Sequence, residues 1–132
     1  MTSHQASGHF DVTLQPQPGS APMQGITLGR ALIDKQYHGD LQARAQGQML
    51  SAMTATPGSS GYVAIEQVSG SLQGREGGFA LQHHGLMDRG TPQLTVTVVP
   101  DSGSGALAGI AGRLNIRIAE GRHFYDFDYS LP

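Results

Sequence analysis

The sequence predicts an all-β protein of eight short antiparallel strands, closed as a barrel or stacked as a sandwich. Three observations carry that expectation. Nineteen glycines and seven prolines in 132 residues interrupt the chain too often for an amphipathic helix of three turns. Between the interruptions, apolar and polar residues alternate with period two, which sends successive side chains to opposite faces of a sheet. Folding neighbouring segments back on one another then gathers apolar residues on a single face.

Along the chain, residues 1–7 are polar and read as an N-terminal tail, leaving residues 8–132 as one barrel domain. A first strand covers about 8–14, and QPQPGSAPMQG at 15–25 reads as a proline-rich loop. A second strand covers 26–37. The stretch LQARAQGQMLSAM at 41–53 has good helix formers, but Leu41, Ala43, Ala45 and Met49 alternate with Gln42, Arg44, Gln46 and Gln48, which favours a strand over 41–55.

Strands over 62–74 and 78–87 form a hairpin if Arg75 and Glu76 make a two-residue turn. Leu72 then lies opposite Phe79, Gly70 opposite Leu81, Val68 opposite His83 and Glu66 opposite Gly85 on the core face. A slip of one residue would exchange the faces, so the apolar set selects the parity. His83 and Glu66 point inward on neighbouring strands, diagonally related, while Gln82, His84, Arg75 and Glu76 face solvent or the rim. A loop over 88–91 leads to a strand at 93–100, bringing Leu94, Val96 and Val98 onto the face of Gly85, His83 and Leu81. The last strands, 107–119 and 122–131, turn at Glu120 and Gly121. Ile118, Ile116 and Leu114 then face His123, Tyr125 and Phe127, and Arg113 lies opposite Asp128 on the outside, an opposite-charge cross-strand pair.

The blocks HGDL at 38, GYVAIE at 61, GR with GGF at 74, LQH at 81, SGSGALAGIAG at 102 and RHFYDFDY at 122 occur in order. Together they resemble the bacterial family of unknown function numbered 3224, from about residue 8 to the C-terminus. The resemblance implies an eight-stranded antiparallel β-barrel of the allene oxide cyclase-like type, shared with dirigent proteins, with an internal cavity. It implies no reaction, and no catalytic residue of the plant proteins maps onto this chain. Fold alone does not carry function.

Composition narrows the chemistry. Without cysteine there is no disulfide, thiolate metal site or cysteine nucleophile, and a reducing compartment suits the chain; a cytoplasmic location is expected. A net charge of −2 with no basic cluster argues against nucleic acid, and no run of about eighteen apolar residues marks a membrane span. GSGALAG lacks the strand–helix context of a dinucleotide fingerprint, and no serine sits in a nucleophile elbow. His83, His123 and Glu66 offer ligand types for a two-histidine, one-carboxylate centre, but no tight spacing supports one, so neither metal nor cofactor is expected.

Glu66 and His83 are the candidate catalytic pair, because a carboxylate and an imidazole in an apolar barrel can move a proton. Tyr62 shares the face of Glu66; His123, Tyr125 and Tyr129 share the face of Leu114 and Ile116, and these four are the candidate ligand-binding residues. The expected function is a cofactor-independent isomerase, cyclase or lyase acting on a small, mostly apolar molecule. The alternative is a non-catalytic binding or storage barrel. Val63 and Ile65, on the outward face of their strand, suggest a homo-oligomer.

Overall fold

Three hairpins share one turn chemistry, and that chemistry sets the register of the sheet. Gln73–Gly74, Arg89–Gly90 and Glu120–Gly121 each have positive φ at both positions (47° and 84°, 48° and 90°, 52° and 74°), the conformation of a two-residue turn whose twist matches that of the strands. A computed structural model describes all of residues 1–132. It contains β1 (Thr2–Gln17), β2 (Thr27–Gly39), β3 (Leu41–Met53), β4 (Ser60–Leu72), β5 (Arg75–Asp88), β6 (Thr91–Val98), a two-residue β7 (Ser104–Gly105), β8 (Ala111–Ala119) and β9 (Arg122–Leu131).

The order β4-β3-β2-β1-β9-β8-β6-β5 closes through β4–β5 into an eight-stranded antiparallel barrel, and β7 adds a short bridge to β5. Each main strand pairs with its neighbours in sequence, and β9 returns to β1. The thinnest seam is β6–β8, held by the single pair Thr97↔Arg113.

Several expectations are corrected. The polar segment 1–7 is not a tail: β1 starts at Thr2 and pairs with β9 from Thr2↔Leu131 to Phe10↔His123, burying Ala6. Closure requires a partner for the outer edge of β9, and backbone groups supply it whatever the side chains are. β1 also runs on to Gln17, so only the later part of the proline-rich stretch is loop, ending in a tight turn between Met23 and Ile26. The β4–β5 turn lies at Gln73–Gly74, two residues before the expected one, giving Val68↔Phe79, Glu66↔Leu81, Ala64↔His83 and Tyr62↔Gly85. Because the displacement is even, the inward and outward sets are unchanged.

The strand expected from 107 begins at Ala111. Gly105 and Gly109 take positive φ, and Leu107 and Ile110 bond back to Ser104 and Leu107, so this segment forms turns whose Leu107 and Ile110 plug one end of the barrel. The β8–β9 register is as expected, with Leu114↔Phe127 and Arg113↔Asp128, but the ion pair forms diagonally, between Arg117 and Asp126 at 2.7 Å. The segment 41–53 is a strand, and β5–β6 pairs His83 with Val96.

The two ends of the barrel differ. Leu41, Leu72, Phe79, Phe127, Leu107 and Ile110 fill the end nearest the β4–β5 turn. At the other end, Leu14, Met53, Met87, Leu94 and Ile118 have inward parity yet remain 39 to 70 % exposed, leaving an apolar mouth.

Candidate functional site

β2, β4 and β5 bring a polar cluster together beneath that mouth. On β2, alternation turns Ala31, Ile33, Lys35 and Tyr37 inward, all buried. On β4 the same rule turns Tyr62, Ala64 and Glu66 inward, and on β5 Leu81, His83 and Gly85. His83 lies opposite Ala64 and Glu66 opposite Leu81, so the imidazole and carboxylate are diagonal neighbours.

Glu66 is fully buried and accepts from three donors. Lys35 Nζ and His83 Nε2 each lie 2.7 Å from its Oε2, and the Tyr37 hydroxyl donates to Oε1. Lys35 also reaches the Tyr37 hydroxyl at 3.4 Å and sits 4.7 Å above the centre of the Phe10 ring, a cation–π contact. No buried side-chain polar atom is left without a partner.

Burial alone would raise the Glu66 carboxyl. The His83 hydrogen bond and the charge of Lys35 outweigh it and bring the group from an ordinary 4.5 down to about 2. Glu66 is therefore a carboxylate near neutrality and can only accept, so the proton on the shared His83 contact belongs to Nε2. In the neutral imidazole this leaves a lone pair on Nδ1, which faces the Tyr62 hydroxyl at 3.5 Å. Burial, reinforced by the Glu66 charge, raises the Tyr62 phenol and keeps it protonated. Burial also pushes Tyr37 well above the phenol range, with Glu66 adding to it.

Tyr62 owes its position to Gly85. A Cβ on Gly85 would lie 2.3 Å from Tyr62 Cε1, so the missing side chain is the space the tyrosine ring occupies beside His83.

The other candidates are distributed differently. His123 is partly buried against Phe10, with ring centres 5.1 Å apart, on the wall next to Lys35. Tyr125 is fully buried and bonds Leu41 N and His38 O, both at 2.9 Å, pinning the β2–β3 turn. Tyr129 donates to the Gln73 side chain at the filled end. Tyr125 and Tyr129 thus serve the turns rather than the cluster. Lys35 and Tyr37 were missed by sequence reasoning, although a lysine at an inward position of an alternating strand was visible. His84, next to His83, is exposed, as expected. None of the five principal hollows is lined by Glu66.

A family model described as protein of unknown function (DUF3224) matches residues 6–129. A crystal structure at 1.84 Å of a protein with unknown function from that family, from Shewanella oneidensis MR-1, is 49% identical to the chain. It superposes with a TM-score of 0.95, over 99% of this chain and 98% of that one. No curated protein matches the chain.

Proposed function

The chain belongs to the DUF3224 family, and because that description names no reaction, we propose from the geometry that it is a cofactor-independent isomerase, cyclase or lyase. Its substrate is a small, mostly apolar molecule carrying a carbonyl beside an acidic C–H, admitted through the apolar mouth. The observation that carries this reading is the line Glu66–His83–Tyr62, with 2.7 Å between carboxylate and Nε2 and 3.5 Å between Nδ1 and the phenol. Glu66 fixes the tautomer of His83, His83 Nδ1 removes the proton, and the Tyr62 hydroxyl donates to the oxygen that gains charge. This divides the pair differently from a simple acid/base partnership: Glu66 orients, and His83 transfers. Lys35 and Tyr37 keep Glu66 ionised. The strand number and antiparallel closure support assignment to the allene oxide cyclase-like type, and a chain without cysteine suits the cytoplasm.

A second reading, a non-catalytic binding or storage barrel, is favoured by the saturation of Glu66 with three donors. Native mass spectrometry of the purified protein identifies any retained small molecule, which is then incubated with the protein in deuterium oxide. His83→Ala should abolish deuterium uptake into that molecule, while His84→Ala, removing the same group from the outer face, should leave it intact. Retention without exchange in the unmodified protein moves the binding reading to the front.

A further inference from the structure

The outside of the barrel is divided by charge. On β8 and β9 the outward positions include Arg113, Arg117, Arg122, Asp126 and Asp128, with the Arg117–Asp126 ion pair among them. Across β3, β4, β5 and β6 the outward positions from 46 to 52, 61 to 67, 80 to 86 and 93 to 97 carry no lysine, arginine, aspartate or glutamate. In their place stand Leu50, Val63, Ile65 and Leu86, 56, 48, 55 and 50 % exposed. Pairing makes these four one patch: Leu50 faces Val63, Gln48 faces Ile65, Ile65 faces Gln82 and Gly61 faces Leu86. A groove of about 730 Å³ runs over Val63 and Ile65, with Leu50 and Gln48 on one wall and Gln82 and His84 on the other.

We infer that this face binds a second copy of the chain across a two-fold axis. Such a contact sets each surface against itself, so a charge close to the axis meets its own like. A foreign partner is selected by opposite charge as readily as by shape, whereas a surface that must match its copy cannot use net charge. The glutamines that ring the patch satisfy the same condition, because an amide both donates and accepts and can pair with its equivalent. Shape is also self-consistent. Leu50 stands on the wall of the groove, and under two-fold symmetry a Leu50 that enters the groove of the other copy is matched by its equivalent entering this one. The apolar centre without charge and the polar rim are the composition of a protein–protein contact, and homodimer contacts are the more apolar kind.

The inference stands apart from the proposed reaction: His83 is among the residues lining the groove, but its side chain, like that of Glu66, has inward parity on strands whose outward side chains make the patch. Sedimentation equilibrium of the full chain at micromolar concentration should give twice the chain mass. Ile65→Arg should give the monomer, and Arg113→Glu, on the charged side, should leave the dimer unchanged. If Ile65→Arg loses its β circular dichroism, Ile65→Gln is the readable variant, and it should weaken self-association about tenfold. A native chain that stays monomeric overturns the inference. So does a dimer unaffected by either change at Ile65, or one dissociated by Arg113→Glu.

Discussion

Replacing Glu66 with glutamine separates an ionic cluster from one that is merely packed. Glu66→Gln preserves size and a carbonyl acceptor but removes the charge that meets Lys35 and His83, each at 2.7 Å. The carboxyl lies at about 2 in the folded protein against an ordinary 4.5, so folding favours its ionised form. That stabilisation is complete above the unfolded value and is lost as pH falls from 4.5 toward about 2. At about 1.4 kcal/mol per pH unit, the displacement is worth about 3 kcal/mol. With an unfolding entropy near 2.1 cal/mol/K per residue, a loss of that size lowers Tm by about 10 °C for 132 residues. Urea unfolding of both proteins, followed by far-ultraviolet circular dichroism from neutral pH down to about pH 2, reads the difference directly. Other carboxylates titrate in both proteins and cancel. The stability gap should be widest at neutral pH and narrow by about 3 kcal/mol across the acid range. Parallel curves over that range would refute the assignment of the low Glu66 value to its partners.

Two further perturbations probe geometry. Gly85→Ala should drive the Tyr62 ring away from His83 at a cost of about 1–3 kcal/mol; a crystal structure of the variant with the Tyr62–His83 contact intact would contradict the steric account. On the outer face, a double-mutant cycle at Arg117 and Asp126 should give a coupling of roughly 0.2–1 kcal/mol, while the same cycle at Arg113 and Asp128 should give less. Equal couplings would mean that backbone opposition, not the diagonal ion pair, sets the interaction.

Much of the fold was legible because alternation determines parity, and parity survives errors in turn placement. The β4–β5 turn shows this. A turn at Arg75–Glu76 satisfies the alternation, yet the backbone needs positive φ at two positions, and glycine meets that need at the second with no steric cost. Gln73–Gly74 therefore wins, as Arg89–Gly90 and Glu120–Gly121 do in the other hairpins. Pairing moved by four, and every side chain kept its face. Residues 1–7 were illegible for a different reason: their pairing with β9 is a backbone matter that polar side chains conceal, and only closure of the ring demands it.

The site was half legible, and the missing half follows from the same limitation. Parity within the β4–β5 hairpin brought Glu66 and His83 to one face, since both lie within one turn of chain. Lys35 lies 31 residues from Glu66, and Glu66 reaches it through β3, where Gly47 pairs with both Ile33 and Glu66. A lysine on an apolar strand face is a costly choice that calls for a buried anion, and Glu66 on its own apolar face calls for a cation. Each residue was thus the signal for the other. Pairing these two demands across strands, before seeking acid/base partners, leads to the ionised Glu66 and so to the His83 Nε2 contact that it accepts. By the same logic the Tyr125 and Tyr129 hydroxyls, which meet backbone and amide groups near turns, lie outside the cluster around Glu66.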